Sequence, residues 1–232
     1  PGQTTVRGDL EDALRMLFRR DVETTCAGRT DAGVHALGQV VSFDVDDRDI
    51  AGRSLPSLRR SLNALTNDAI TVREVEPKQK GFSARFDAQA RECHYHLCVD
   101  STCPIFMKDF SWFVPGGLDI TAMEAGAQYL LGEHDFKSFC MAASAEGKPT
   151  HRNVREISFH PETVMGENLM SIKVVGNAFL HSMVRTIVGT LVMVGKGQRP
   201  SSWVGEVLEA RDRQAAGENA PAQGLVFWRV IY

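Results

Sequence analysis

Hydrophobic residues recur at two spacings in the first part of the chain, one typical of helices and one typical of strands. A helical stripe predicts an opening amphipathic helix that ends near Arg20, and its members are Val6, Leu10, Ala13, Leu14, Leu17 and Phe18. Extended patterns predict strands at residues 22–27 and 38–45. A leucine stripe over residues 55–65 predicts a second helix, and residues 70–75 predict a strand. The first segment is therefore predicted to run helix, strand, strand, helix, strand.

The second half repeats this order of elements after a leading strand at residues 91–99. Thr121 and Glu124 form a capping box that predicts the start of a helix, and Gly132 predicts its end. The most periodic helical stripe of the chain begins at Leu180. Further strands are predicted at residues 110–114, 155–160, 169–175 and 225–232, and a short helix at residues 203–210.

These patterns predict an α+β fold made of two ferredoxin-like units, each with the order β-α-β-β-α-β. The N-terminal unit takes residues 1–80 and the C-terminal unit takes residues 81–232. The first half lacks the leading strand. It either begins with an unusual edge or has lost about one strand and one turn at its N-terminus, and the loss is the preferred interpretation.

Composition and charge are those of an ordinary globular protein. The formal net charge is −3, which predicts no general basic field for nucleic acid. The longest apolar stretch, Thr186 to Gly195, is too short to cross a bilayer, and the start carries no secretion signal, so a cytoplasmic protein is expected. The cysteines form no C-x-x-C pair, which argues against a disulfide framework and a zinc ribbon.

The densest group of chemically active side chains lies in the loop from Gly28 to Ala36, between two predicted strands. Small residues let the backbone approach a ligand, and the loop carries a carboxylate, a guanidinium and an imidazole at Asp31, Arg29 and His35. This composition indicates a candidate catalytic loop. A tight turn in which Asp31 only caps backbone N–H groups explains the same spacing, and spacing alone favours that alternative.

The run from Gly28 to His35, Gly-Arg-Thr-Asp-Ala-Gly-Val-His, resembles the active-site loop of the tRNA pseudouridine synthase A family. Four further segments resemble the same family in the same order, and they are Phe82–Phe86, Leu131–Phe136, Asn177–Arg185 and Gly224-Leu225. Together they span nearly the whole chain, so the resemblance covers both predicted units.

The resemblance implies an isomerase without a cofactor, which detaches uridine from its ribose, turns it and rejoins it through C5. It implies tRNA as partner, uridines 38, 39 and 40 of the anticodon stem-loop as substrates, and a homodimer. Asp31 matches the catalytic nucleophile, which must be ionised. The implied pseudouridine synthase fold has one central antiparallel sheet with helices behind it and RNA on its open face. The helix from Leu180 to Val194 is a candidate for the dimer interface.

The resemblance also implies roles for residues that support Asp31. Arg29 matches an arginine that holds the flipped RNA, and Arg185 matches the arginine that pairs with the carboxylate and keeps it ionised. Leu225 matches an apolar residue beneath the target base. The expected RNA contacts are Arg29, Thr30, His35 and His181. From the residues alone, Arg185 could equally be a snorkelling helix arginine, Leu225 a core residue, and His35 and His181 structural hydrogen-bond partners.

One position departs from the family's pattern. The family shows Arg-x-Tyr-x-Tyr where this chain has Arg91-Glu92-Cys93-His94-Tyr95, so Cys93 stands in place of the first tyrosine, which packs on the target base. Tyr95 lies on the same strand face, about 7 Å further along. It either replaces the lost ring in the active site or is an ordinary half-buried strand aromatic.

Two other classes of protein remain alternatives at this point. Cys93 and the absent leading strand are consistent with a tRNA-binding homologue whose catalysis is impaired. Asp31-Ala32-Gly33 matches the Asp-x-Gly of an aspartic protease, which needs a second facing carboxylate that only a symmetric dimer would supply. His94 and His96 share a strand face, but two ligands make a weak site, so no metal is predicted.

Overall fold

The computed structural model describes residues 5–141 and 146–232. By their contacts the residues form two compact units, one of Pro1–Ala27 and Val40–Asp87 and the other of Gly28–Gln39 and Ala88–Tyr232. The loop that carries Asp31 therefore lies within the second unit. The division into residues 1–80 and 81–232 stays a prediction.

The secondary structure mixes helices and strands, which confirms the predicted α+β class. In chain order the strands are β1 (Thr25–Cys26), β2 (His35–Ala36), β3 (Val41–Ser42), β4 (Ala90–Cys98), β5 (Trp112–Phe113), β6 (Gly132–Asp135), β7 (His151–Val164), β8 (Glu167–Gly176) and β9 (Leu225–Ile231). The α-helices of the described residues are α1 (Val6–Phe18), α2 (Asp47–Ile50), α3 (Leu55–Leu65), α4 (Ile120–Ala127), α5 (Met183–Gly195) and α6 (Trp203–Ala210). Short 3-10 turns lie at Gln128–Leu130, Lys137–Phe139, Arg213–Ala215 and Ala222–Gly224.

The first unit is held together by the apolar faces of α1 and α3. Thr5 caps α1 by accepting a hydrogen bond from the Gly8 N–H at 3.0 Å, and Ser54 caps α3 in the same way. The buried apolar cluster of this unit consists of Leu10, Leu14, Val22, Leu58 and Leu62. Both helices confirm the predictions made from the spacing of hydrophobic residues.

The strands of the first unit are shorter than their sequence patterns predict. Only β1 and β3 form within the predicted strands at 22–27 and 38–45, and they pair antiparallel over two residues each. Residues 70–75 form no strand, because the Asn63 side chain bonds to both backbone groups of Val72. Its Oδ1 accepts from the Val72 N–H at 2.7 Å and its Nδ2 donates to the Val72 carbonyl at 2.9 Å. A side chain thus takes the place of a neighbouring strand.

The second unit is built on a mixed sheet, which in the described residues has the order β2-β9-β4-β8-β7-β6, with β5 beside β4. β4 pairs antiparallel with β8 and β9, whereas β2 is parallel to β9 and β5 is parallel to β4. The predicted central antiparallel sheet is confirmed for the described strands β9, β4, β8, β7 and β6, whereas the two-residue strands β2 and β5 pair parallel and make the sheet mixed. No hairpin joins β2 to β9, so nothing forces that pair to be antiparallel. The order β4-α4-β7-β8-α5-β9 follows the pattern predicted for this half, while two ferredoxin-like units stay a prediction.

α5 is enclosed on almost all sides, and Met183, Ile187 and Leu191 are among its buried side chains. The predicted helix is confirmed, although it begins at Met183 and Leu180 lies before it. A helix that is apolar around its whole circumference belongs in a core. The prediction that this helix contributes to a dimer interface is therefore wrong, since its apolar surface is already used.

One local prediction in the second unit is corrected, and one strand of this unit was not predicted. Asp119 caps α4 by accepting a hydrogen bond from the Ala122 N–H at 2.9 Å, so Thr121 lies inside the helix and not at its start. Gly132, with a φ of +99°, follows the helical segment and opens β6. That strand was not predicted, because its four residues Gly-Glu-His-Asp show no alternation of apolar and polar side chains.

A close approach of two backbones fixes α5 against residues 217–220. A Cβ at Gly189 would lie 1.9 Å from the Glu218 carbonyl oxygen, and one at Gly217 would lie 2.8 Å from the Cα of Thr190. The Gly217 N–H also donates to the Thr190 hydroxyl at 3.0 Å. Both glycines are therefore required by contact with backbone atoms, which cannot move aside as a side chain can.

Gly189→Ala is expected to destabilise the protein by about 1–3 kcal/mol, because the added methyl group collides with backbone. Helix propensity alone predicts the opposite sign, a gain of about 1 kcal/mol. Gly8→Ala in α1 is the control, since the nearest atom to its added Cβ is the Thr5 hydroxyl at 3.2 Å. Urea unfolding followed by circular dichroism measures both variants. A Gly189→Ala protein as stable as the parent would contradict the close approach.

Candidate active site

The candidate loop is held against β9 at both of its ends. A Cβ at Gly28 would lie 3.1 Å from the Phe227 ring, and one at Gly38 would lie 2.3 Å from the Trp228 carbonyl oxygen. Between these two glycines, β2 pairs parallel with the start of β9. The loop therefore takes its position from β9, and the small residues seen in its sequence permit that contact.

A tight turn presents Asp31 at the middle of the loop. The Val34 N–H donates to the Asp31 carbonyl at 3.1 Å, and Gly33 has a φ of +80°, in the left-handed region that favours glycine. The Asp31 side chain contacts side chains of residues 181–185. The described contacts of the Asp31 carboxylate are to side chains, so it does not act merely as the cap of backbone N–H groups in a tight turn.

Three side chains from one short segment contact the Asp31 carboxylate. Oδ2 accepts a hydrogen bond from the Ser182 hydroxyl at 3.0 Å and lies 3.3 Å from Arg185 Nη1. Oδ1 lies 3.1 Å from His181 Nε2. The Asp31 side chain is 22% exposed, so the carboxylate is open to a ligand on one side while donors surround the rest of it.

Arg185 is fixed from behind by the backbone of Ala220. Its Nε donates to the Ala220 carbonyl at 2.7 Å, and the Ala220 N–H donates to the Arg185 carbonyl at 3.2 Å. The guanidinium is thereby directed at Asp31, with only 17% of the side chain exposed. This geometry differs from that of a snorkelling arginine, whose charged head lies in water.

Ser182 is a site residue that sequence reasoning missed. It lies immediately before α5, in the segment Asn177–Arg185 that resembles the family, and it contacts a carboxylate 151 positions away in sequence. A single serine carries no pattern that indicates such a distant contact. The available signal was its place between His181 and Arg185, which were both singled out.

Tyr95 is a fully buried strand residue whose hydroxyl is already hydrogen-bonded. The hydroxyl donates to the Pro221 carbonyl at 2.7 Å, and a Cβ at Gly224 would lie 2.6 Å from the ring. Burial raises the pKa of Tyr95 well above its ordinary value, while the charge of Arg185 acts in the opposite direction. Tyr95 is therefore neutral near pH 7, and it pairs across the strands with Leu225, which is also buried.

Cys93 is a core residue in this chain. It lies on β4 between Phe227 of β9 and Val174 of β8, and only 4% of it is exposed. Burial raises the pKa of its thiol to about 12. A buried neutral thiol behaves as a small apolar group, so Cys93 fills space where the family's pattern has a tyrosine.

The predicted RNA contacts differ in what surrounds them. Arg29 and Thr30 are exposed, and the His181 side chain is 44% exposed. His35 instead packs against the Phe110 ring with centroids 4.6 Å apart, and its Nε2 lies 2.8 Å from the Asp109 carbonyl oxygen. His35 thus ties β2 to the segment before β5, and the RNA contacts of all four residues stay predictions.

His94 and His96 lie among aromatic and charged side chains of the described residues. His94 stacks on Trp228 with ring centroids 4.1 Å apart, and its Nε2 lies 2.8 Å from Glu92 Oε1. Burial lowers the pKa of His96. Across residues 5–141 and 146–232, no group of three or more His, Cys, Asp or Glu residues is arranged to hold a metal ion. Among the same residues, no helix combines the length and the apolar character needed to span a membrane.

Comparison with known proteins identifies the family. A family model described as tRNA pseudouridine synthase matches residues 1–87 and 127–232. Since these ranges make up most of the chain, the chain belongs to this family. The predicted family and the predicted enzyme class, an isomerase, are confirmed.

Individual relatives carry a more specific name. The chain is similar to tRNA pseudouridine synthase A of Brevibacillus brevis, with 42% identity over 235 residues that cover 100% of this chain and 91% of the relative. The protein of the same name from Thermotoga maritima is 40% identical over 233 residues, with coverage of 100% and 91%. The one from Geobacillus sp. strain WCH70 is 37% identical over 233 residues, with coverage of 100% and 90%.

Cys93 is expected to resist alkylation in the folded protein, whereas the exposed Cys103 reacts. At pH 8 the raised pKa of Cys93 leaves almost no thiolate, and burial blocks the reagent. Iodoacetamide should modify Cys103 at least about 100-fold faster than Cys93 in a time course read by mass spectrometry. In urea, as the control, both should react at similar rates. Equal rates in the folded protein would show that Cys93 is accessible.

Proposed function

We propose that this chain converts uridine to pseudouridine in tRNA, with Asp31 as the nucleophile. The observation that carries the proposal is the cluster in which the Asp31 carboxylate meets Ser182, Arg185 and His181 within 3.3 Å. A nucleophilic carboxylate must be charged and must have one open side. The guanidinium of Arg185 supplies the opposite charge, and the 22% exposure of Asp31 supplies the access.

The proposed isomerisation rearranges bonds within one nucleotide. The N1–C1′ bond of uridine breaks, a C5–C1′ bond forms, C5 loses its hydrogen as a proton and N1 gains a proton. Atoms and electrons balance without an oxidant or a reductant, so the proposal includes no cofactor. Asp31 attacks either the ribose or the pyrimidine ring, and both routes require its ionised form.

A base in a helix must leave the stack before its glycosidic bond can be reached, and this extrusion costs about a few kcal/mol. Arg29 is exposed two residues before Asp31, and we assign it to hold the backbone of the extruded nucleotide. Thr30 and His181 are assigned to RNA contacts beside the carboxylate, and His35 to the end of the loop. Leu225 is assigned to the apolar surface beneath the target base.

The substrate positions follow from the resemblance. The proposed targets are uridines 38, 39 and 40 of the anticodon stem-loop. Three relatives named tRNA pseudouridine synthase A, which this chain matches over its full length, support tRNA as the substrate. The assignment to the anticodon stem-loop rests on the family resemblance alone.

A homodimer belongs to the same proposal, and an exposed apolar segment before β5 supports it. Ile105 is 80% exposed and Phe106 is 56% exposed. The Glu167 carboxylate holds this segment by accepting hydrogen bonds from the backbone N–H groups of Ile105, Phe106 and Met107. Two large apolar side chains on a fixed backbone are suited to a protein contact.

A tRNA-binding homologue with impaired catalysis is the second candidate, and Cys93 favours it. The residue at the position of the family's tyrosine is a buried thiol, and the hydroxyl of Tyr95 is bonded to the Pro221 carbonyl. If no other ring reaches the target base, turnover falls while binding persists.

Asp31→Asn is expected to abolish tritium release from tRNA that carries 5-tritiated uridine, because bond formation at C5 expels the label. Affinity for tRNA should stay within about tenfold, or about 1.4 kcal/mol, since the change removes the nucleophile and few contacts. Asp68→Asn, at an exposed aspartate of the first unit, is the matched control and should release tritium like the parent.

Each outcome of this assay has one meaning. Release by the parent and by Asp68→Asn, with none by Asp31→Asn, supports the isomerase and its nucleophile. Normal release by Asp31→Asn refutes the assignment of Asp31. Binding of tRNA without release by the parent supports the impaired homologue.

Phe106→Glu is expected to turn the homodimer into a monomer, because a charge would be buried in the contact. Sedimentation velocity measures the oligomeric state of the parent and the variant. Phe86→Glu is the matched control, since Phe86 is an exposed phenylalanine outside this segment, at 80% against 56% for Phe106, and its change should leave a dimer intact. A monomeric parent would refute the homodimer, and a dimeric Phe106→Glu variant would refute this segment as its interface.

A further inference from the structure

Ser182 has backbone angles that favour glycine, and it has them beside the Asp31 carboxylate. Its φ is 61° and its ψ is 8°, in the left-handed region. Residues other than glycine are uncommon there, and those that persist concentrate at functional sites. A serine at such a position points to a use for its hydroxyl.

Ser182 is fixed at both its side chain and its backbone. It is 8% exposed, and its hydroxyl donates to Asp31 Oδ2 at 3.0 Å. Its carbonyl accepts from the Thr186 N–H at 2.9 Å, and the Thr186 hydroxyl lies 3.1 Å from the same oxygen. The first turn of α5 thus holds the serine in place while the serine holds the carboxylate.

The two oxygens of Asp31 have unequal surroundings. Oδ2 is bonded to Ser182 and to Arg185, whose side chains lie mostly inside the protein. Oδ1 lies 3.1 Å from Nε2 of His181, whose side chain is 44% exposed. Among the described contacts, Oδ1 therefore has one ion-pair contact to release before it reacts, on the exposed side, whereas Oδ2 has two hydrogen bonds on the buried side. Hydrogen bonds to a carboxylate oxygen stabilise its charge, so the oxygen with fewer donors is the better nucleophile.

We propose that Ser182 is a positioning residue for the reaction: with Arg185 it holds Oδ2, so that Oδ1 is the oxygen presented to the target nucleoside. The inference rests on the proposed function, in which Asp31 is the nucleophile. It goes beyond that function because it assigns different tasks to the two carboxylate oxygens. It also explains why a strained serine stands where glycine would fit without strain.

Two variants distinguish the effect of the Ser182 hydroxyl from the effect of its backbone strain. Ser182→Ala removes the hydroxyl and keeps a side chain in the left-handed region, whereas Ser182→Gly removes the hydroxyl and relieves the strain. Ser182→Gly should therefore unfold at a higher urea concentration than Ser182→Ala. If the hydroxyl positions Asp31, both variants should lower kcat for tritium release by about tenfold and leave KM for tRNA within about twofold. Ser201→Ala is the control, since it loses a comparable hydrogen bond to the Ala122 carbonyl and should keep the kcat of the parent.

The outcomes distinguish positioning from a structural role. A fall in kcat for both variants, despite their different stabilities, supports the proposal. A parent-like kcat for either variant overturns it, because activity would then follow stability or not depend on the hydroxyl. The Asp31→Asn variant, measured in the same assay, distinguishes a failure of the proposed function from a failure of the proposed role of Ser182. Turnover by Asp31→Asn refutes the proposed function itself, whereas an inactive Asp31→Asn with a parent-like Ser182→Ala refutes only the role of Ser182.

Discussion

The enclosure of α5 is the constraint on which the site depends. A helix that is apolar on all sides is stable in water only when neighbouring elements cover it, and here the sheet, α4 and residues 217–220 do so. That packing fixes the first turn of α5, with Arg185 in it and His181 and Ser182 before it. Asp31 meets these residues because its loop is held on β9, which is a neighbour of β4 in the same sheet. The geometry of one carboxylate is therefore decided by the core.

The sequence predicts an element of this fold well where its pattern does not depend on distant side chains. The stripes of α1, α3 and α5 are of this kind, and all three helices form. Residues 70–75 have a strand-like pattern, but the Asn63 side chain, which belongs to α3, hydrogen-bonds to the Val72 backbone. Rules based on local spacing do not include such a contact. The parallel pairing of β2 with β9 was equally inaccessible, because two residues are too few to show a period.

The same distinction applies to the site. Asp31 and Arg185 were singled out because they lie in recognisable segments, and the structure brings them together. Ser182 was missed because its contribution depends on one left-handed residue and one hydrogen bond across 151 positions. For Tyr95 the strand pattern left two interpretations open, and its bond to the Pro221 carbonyl is a tertiary contact that no spacing encodes.

Tyr95 and Gly224 limit each other's evolution. The Tyr95 ring occupies the space where any side chain at position 224 would begin, so position 224 accepts a larger residue only after position 95 becomes smaller. A smaller residue at position 95 would in turn leave a void in the core and release the Pro221 carbonyl, next to the Ala220 backbone that anchors Arg185. Substitutions at the two positions are thus expected to occur together across descendants of this chain. A signature of co-variation there would reflect packing and carry no information about RNA.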